Sequence, residues 1–529
     1  MQNKWLYIGM MLIFGACVRE KDLPMPLPSI MLVNQSGNDI VQEPGKEVAI
    51  DASLQSLAGI RNVTVSVDGS VVKTEELDGR ISHEYSYVYQ VPEGQAIGSK
   101  LLLEVKVEDN EGKTASVQVG IVVDQPYQVD EITLDGTPYT RLKGKINRDI
   151  TLTADVHWLV DSVLSVEEGA VMRIEPGTTV YFRTYAAQNK SSLLGIARGS
   201  SIIAEGTREQ PIVFTSDRVR TGNPSAGDWG GLVVNGFAPT NRGGTVLSDG
   251  FRYGGNPADN SGRLRFIRIE YSGKEGYHGL HLHGVGSATQ VSHIQVYQSY
   301  NNAVRLRGGR ASLKYIAGIR HGGYGLWADE GWQGNGQFWL FQTDIPATLV
   351  PVNYWNQARS LEFRNDASVS DRQPRTTFRV SNVTLIGNGY TEAVADGTRR
   401  GIRVRQGSVG EIRNAIVTGF PDEGVRVEDL PLSDLGSLAT VSHMRVFNNR
   451  INWGQEAMSF FFESGNFQLS EAPVPEISQA DFAGTVSGGF NTSSMGSWFT
   501  AVSYIGAVDP TDDWTKGGSW FKDINGKIR

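Results

Sequence analysis

Three stretches of this chain share one pattern, an aliphatic residue held between two imidazole or guanidinium side chains: His281-Leu282-His283, Arg305-Leu306-Arg307 and Arg403-Val404-Arg405. On an extended strand successive side chains alternate faces. With Leu280/Leu282, Val304/Leu306 and Ile402/Val404 turned inward, the His and Arg pairs therefore point the other way. Trp327 and Asp329 fall between the second and third pairs, and Arg426 with Glu428 follows. If these strands stack, their outward residues form a ladder with steps of about 4.8 Å. Such a ladder suits charge-assisted hydrogen bonding and stacking with a carboxylate-bearing glycan or peptide. The candidate ligand-binding residues are Arg305, Arg307, Trp327, Asp329, Arg403, Arg405, His281 and His283. The bland alternative is a solvated sheet face whose charges only suppress aggregation.

Other chemistry is less well supported by the residues. The spacing of His281 and His283 is compatible with zinc if a carboxylate adds a third ligand, but the spacing is common and reads as an ordinary pair. Neither metal nor cofactor is expected. A glycan hydrolase needs two carboxylates across the scissile bond, and a lyase needs a neutralised uronate with a base beside its acidic carbon. Asp329 and Glu330, with Arg305, Arg307, Arg320 and His321, are the candidate players. The middle coils carry no Asn-x-Asp, Asp-Asp or Gly-His-Gly series, so no catalytic residue is assigned; an enzyme acting on an acidic polysaccharide is one alternative to a protein that binds a ligand or partner protein, and a structural or adhesive surface protein is another. The aromatic residues Trp327, Trp332, Phe338, Trp339, Phe341, Tyr354 and Trp355 serve packing first and a sugar platform second. P-loop, dinucleotide-binding, kinase and Gly-x-Ser-x-Gly signatures are missing.

A stacked architecture is what must position the ladder. Phe266-Ile267-Arg268-Ile269, His293-Ile294-Gln295-Val296, Tyr315-Ile316-Ala317-Gly318, Asn382-Val383-Thr384-Leu385 and His443-Met444-Arg445-Val446 align as one strand series. Its first steps, Ile267 to Ile294 to Ile316, are 27 and 22 residues, and the 67 residues to Val383 suggest three further turns. The ladder strands form a second series, with Leu280, Val304 and Leu326 spaced by 24 and 22 and Ile402 to Val425 by 23. Two interleaved series sharing one coil period predict a right-handed parallel β-helix over residues 130–529.

The preceding residues, 29–125, alternate with period two around tight turns such as Asp68-Gly69, which predicts an antiparallel immunoglobulin-like sandwich. The fold class is thus all-β throughout. An Asp109-Asn110-Glu111 turn in this part resembles a calcium-ligating linker but needs no metal to be a polar hairpin turn.

Lys4 followed by the apolar run Trp5 to Ala16 reads as an export signal over residues 1–16, too short to span a bilayer. It ends Leu12-Ile13-Phe14-Gly15-Ala16-Cys17, which resembles a bacterial lipobox. The only cysteine of the 529 residues stands where lipidation requires it. Residues 17–28, with alternating prolines, form an extended tether. A lone cysteine excludes disulfide scaffolds. A net charge of −8 carries no electrostatic footprint for nucleic acid.

The segments Val166-Glu167-Glu168-Gly169-Ala170, Ile174-Glu175-Pro176-Gly177-Thr178, Pro211-Ile212-Val213-Phe214-Thr215-Ser216, Gly227-Asp228-Trp229-Gly230-Gly231-Leu232, Tyr253-Gly254-Gly255-Asn256 and Asp513-Trp514-Thr515 together resemble a Bacteroidota surface lipoprotein family with a pectin-lyase-like parallel β-helix. The resemblance covers roughly residues 130–529 and departs at Asn301–Gly309, where relatives carry an acidic-aromatic run of which only Asp329 and Glu330 have counterparts here. It implies an outer-membrane lipid anchor, at the cell surface or alternatively on the periplasmic face, a partner in a TonB-dependent transporter complex and a glycan or peptide ligand, without a settled activity.

Overall fold

The computed structural model describes residues 24–33, 39–124, 127–187, 189–255, 258–274, 276–343, 359–389, 399–429, 439–454, 468–477, 482, 484 and 486–529. Residues 1–16, where an export signal is expected, Cys17, Tyr354 and Trp355 lie outside the described residues. The chain divides into two compact units, Met1–Gln125 and Pro126–Arg529.

The first unit is the expected β-sandwich of immunoglobulin-like type. Two strands of 21 residues, Glu47–Val67 and Ser70–Gln90, pair along their length around the Asp68-Gly69 turn. Both turn residues have positive φ, 48° and 79°, as a two-residue hairpin demands. A register break between Gln55 and Ile60 bends the pair. Residues before it pair with Ser29–Val33, and residues after it pair with Lys100–Asp109. The bend wraps the sheet around a core that includes Ile50, Leu54, Val63, Val65, Leu103 and Val105, all fully buried. Asp109 is buried and caps its own turn, one oxygen accepting from the Glu111 and Lys113 N–H groups at 3.0 and 2.9 Å. The other oxygen accepts from the Ser56 hydroxyl at 3.3 Å, so the carboxylate serves the turn and its packing.

The second unit is a parallel β-helix. Its N-terminal end is an antiparallel hairpin, Tyr127–Leu134 with Thr137–Ile146, after which strands of successive coils pair in parallel. Each coil presents three sheet faces. The first runs through Ile212, Ile267, Ile294, Ile316, Trp339, Val383, Ala415 and Met444. The second runs through Leu232, Leu280, Val304, Leu326, Leu361, Ile402 and Val425. The third runs through Ala204, Leu264, Val291 and Leu313. Inward residues of all three faces form one continuous core. No face can bury its apolar residues alone, so the stack itself supplies the fold's stability.

The 67 residues between Ile316 and Val383 hold two coil steps, through Trp339, and not three. The second step is 44 residues long and includes 344–358, which lie outside the described residues. The strand Arg359–Arg364 of the second face belongs to this long coil.

At the corner leading into the first face, one residue per coil adopts positive φ: Phe266, His293, Tyr315, Phe338, Asn382, Asn414 and His443, between 48° and 60°. The first four rings stack at 4.2, 4.3 and 4.7 Å. The C-terminal segment lies over this corner. Trp514 and Trp520 pack against the rings, and Gln295 and Gln337 each exchange two hydrogen bonds with the backbone of Lys522 and Thr500. A second core results outside the helix proper.

Candidate functional site

The expected ladder exists in register on the second face. His281 pairs with Arg305, Arg305 with Trp327, Trp327 with Glu362, Glu362 with Arg403, and Arg403 with Arg426. The parallel rung set takes His283 to Arg307 to Asp329, with Arg364 to Arg405 further along. Leu280, Leu282, Val304, Leu306, Ile402 and Val404 are buried on the inward side, as the alternation requires.

The ladder is not a solvated face. His281, His283, Arg305, Asp329 and Glu362 are at most 1% exposed. What covers its upper part is the insertion after Asn235, which carries an antiparallel hairpin, Val246–Ser248 with Phe251–Tyr253. Asp249 and Gly250 form the two-residue turn with φ of 54° and 83°. Phe251 settles over Gly195, the rung that leads through Val233 to His281; a Cβ on Gly195 would lie 1.9 Å from the Phe251 ring. Asp249 then faces the imidazoles, with Oδ2 3.4 Å from His281 Nδ1 and 3.8 Å from His283 Nε2. Ser248 accepts a hydrogen bond from Arg307, and Tyr253 donates one to Glu330 at 2.7 Å.

The charges of the ladder are largely satisfied by one another. Arg305 reaches Asp329 at 2.7 Å while its guanidinium lies 3.8 Å from the centre of the Trp327 ring, and Arg364 meets the same carboxylate at 2.8 Å and the same ring at 4.2 Å. Glu362, absent from the sequence reading, accepts a hydrogen bond from Arg405 at 2.7 Å and forms a looser ion pair with Arg403 at 3.7 Å. Arg403 also pairs with Glu428 at 2.5 Å. Burial works to raise the Asp329 carboxyl, but Arg305 and Arg364 overcome it and hold it below the usual carboxylate range. Burial works to lower Arg307, yet Glu330, Asp329, Tyr253 and Asp249 hold it above its ordinary value. Arg307 therefore stays a cation and is unsuited to act as a base. Burial, with neighbouring cations and imidazoles, pushes His278 and His283 well below the ordinary imidazole value, and burial outweighs the Asp249 carboxylate to lower His281 as well. All three are neutral at pH 7.

Beside the hairpin the ladder opens into a cleft of about 560 Å³ lined by Arg242, Arg305, Arg307, Trp327, Glu330 and Arg364, among others. Four guanidiniums against Glu330 and the underlying Asp329 leave 4 − 2, a local excess of two positive charges on a chain of net −8. Arg305 is fixed beneath the floor. Arg242 and Arg364 have side chains 58% and 30% exposed and stand at the mouth. Arg403 and Arg405 are outside the cleft, tied to Glu362 and Glu428. Of the alternative catalytic group, Asp329 and Glu330 do meet Arg305 and Arg307. Arg320 turns to the C-terminal segment and His321 is buried against Phe341.

The sequence reading passed over Asp249, Tyr253, Glu362, Arg364 and Arg242. Asp249-Gly250 between apolar residues is a two-residue hairpin signal, and it marks the covering element.

Comparison with known proteins agrees with the geometry of the coils. None of the curated proteins matches this chain. A solved structure of Clostridium thermocellum CbhA fibronectin(III)-like modules is similar at 21% identity over 19% of this chain and 47% of that one, with a TM-score of 0.15. The match spans less than half of that chain. A family profile described as a pectate-lyase-like β-helix domain matches residues 144–487. That match takes in more than half of the chain and coincides with the stacked coils, so the protein belongs to the pectate-lyase-like β-helix domain family.

Proposed function

We propose that this protein binds a carboxylate-bearing glycan in the cleft beside the hairpin, as a lipid-anchored outer-membrane protein at the cell surface that serves TonB-dependent nutrient uptake. The observation that carries the reading is the concentration of Arg242, Arg307 and Arg364 around Trp327 in a cleft with an excess of cations. Guanidinium forks match carboxylates, and an indole offers a sugar a stacking face. The pectate-lyase-like family supports a glycan as the ligand class. The export signal and Cys17 support the anchor, and the family resemblance supports the transporter context.

Titration calorimetry of the purified chain with oligogalacturonate and with uncharged maltooligosaccharide tests the ligand class. Saturable binding of the acidic glycan, weakened by salt, is expected; equal binding of both, or of neither, overturns the reading. Ultraviolet absorbance of an unsaturated product in the same samples would replace binding with lyase activity. Cys17→Ala should release the protein from the membrane fraction, and purification of the wild-type chain from native membranes should bring a transporter with it.

A further inference from the structure

We propose that Asp249, His281 and His283 form a site for one divalent transition-metal ion of the zinc class, which pins the Val246–Ser248/Phe251–Tyr253 hairpin to the second face of the β-helix. The three residues offer ligand atoms that all lie within 4.8 Å of one another. Two imidazole nitrogens and one carboxylate oxygen are a ligand set that borderline-soft zinc accepts at about 2.0–2.2 Å per ligand, leaving a fourth position for water.

A second observation is independent of that clustering. His283 is wholly buried, yet neither of its ring nitrogens has a hydrogen-bond partner. Buried polar atoms are normally paired, and an orphaned pair of nitrogens on one ring calls for a reason. An ion supplies a partner for one of them without requiring space for a larger ligand. His281 is already oriented, since its Nε2 accepts a hydrogen bond from the His278 N–H at 2.7 Å while Nδ1 faces Asp249. Taking an ion at Nδ1 moves the ring proton to Nε2, which sets two N–H donors face to face, so the His278 N–H turns away as the three ligand bonds form.

The backbone favours the arrangement. His281 and His283 share one side of one strand, with ring centres 5.3 Å apart. Asp249 occupies a tight turn anchored on one side by Phe251 over Gly195 and on the other by Ser248 at Arg307. The nearby Arg305 is paired with Asp329 at 2.7 Å, and the Asp249 carboxylate brings its own negative charge to the ion. This proposal is independent of what the cleft binds. An ion here joins hairpin to coil, and the readouts below require no glycan.

The test uses the purified full chain, stripped with chelator and titrated with zinc chloride by calorimetry, alongside metal analysis after gel filtration. One equivalent per chain is expected, and cobalt(II) in its place should give visible bands of tetrahedral intensity. Asp249→Asn, His281→Gln and His283→Gln should each weaken zinc binding by more than about tenfold, and zinc should raise the melting temperature of the wild type but not of the variants. Zinc should also slow tryptic cleavage after Arg252, the exposed residue beside the turn. Absence of saturable uptake overturns the site, as does uptake that all three variants retain. Should a histidine variant not fold, Asp249→Asn, which changes only the turn, decides alone.

Discussion

The β-helix carries two outward ladders, and they are closed in opposite ways. At the corner before the first face, Phe266, His293, Tyr315 and Phe338 stack ring on ring and the C-terminal segment seals them with Trp514, Trp520 and paired backbone hydrogen bonds. On the second face the ladder is charged, its cover is a short hairpin, and a cleft remains open beside it. An apolar stack gains most from complete exclusion of water. A charged ladder loses solvation when covered and must be paired internally, so it is covered only where partners exist. The first ladder is therefore architecture, and the second is where the proposed ligand would meet the cleft's excess of cations.

The largest effect should come from opening the sealed ladder. Trp520 is fully buried against Phe266, His293 and Trp514. Trp520→Ala should destabilise the second unit by about 3–5 kcal/mol, read by chemical denaturation, while glycan affinity of the folded fraction stays unchanged. Loss of affinity with little loss of stability would reverse the roles assigned to the two ladders.

Next comes the floor of the charged ladder. Arg305→Met leaves Asp329 buried with Arg364 as its remaining partner. Removing one member of a buried pair costs about 3–5 kcal/mol, and the surviving partner places this change at the lower end. Arg305 would then be a structural member of the ladder. Destabilisation below about 1 kcal/mol would make the pair dispensable and leave Trp327 as the main organiser of the floor.

Acid should strain both regions through buried imidazoles. Burial pushes His293, in the aromatic stack, down to about 3, and His321, behind Phe341, down to about 4, the latter against an opposing hydrogen bond to the Gly323 carbonyl. Each folded-state value lies below the unfolded value near 6.5, so the unfolded chain takes the proton first. The stabilisation is complete above about pH 6.5 and is lost as pH falls toward the folded values. His321→Gln should remove up to one proton from the slope of stability against pH between about 6 and 4, at most about 1.4 kcal/mol per pH unit. An unchanged slope would mean that the folded protein admits the charge.

How much of this was legible in sequence follows from what each feature depends on. The inward and outward alternation of Leu280, Val304 and Ile402 is local, and it gave the second-face register. The corner was visible in alignment, since Phe266, His293, Tyr315, Asn382 and His443 head their blocks and all take positive φ. Phe338 and Asn414 escaped because Trp339 and Ala415 replace the usual Ile or Val after them. Burial of the ladder could not be read from strand periodicity. It depends on an insertion more than thirty residues upstream of Arg305 that folds back over the face, and on Glu362, which sits in a coil whose length breaks the period. Periodicity reports which side of a strand a residue occupies, but not what else covers that side.

The smallest effect on stability should distinguish the two ladders most sharply. Arg242 is well exposed and meets Glu330 at 3.5 Å, an ion pair of the kind that contributes about 0–1 kcal/mol. Arg242→Gln should therefore leave the melting temperature nearly unchanged. In the proposed binding mode the same guanidinium donates to a ligand carboxylate, so oligogalacturonate affinity should fall by about tenfold, the scale of one charged hydrogen bond of roughly 1.5 kcal/mol, and its salt dependence should flatten. Arg364→Ala should lower affinity similarly with a larger stability cost, because it also withdraws one partner of Asp329. If both variants bind as the wild type does, the cations of this cleft balance the ladder's own carboxylates and the ligand site lies elsewhere on the coils.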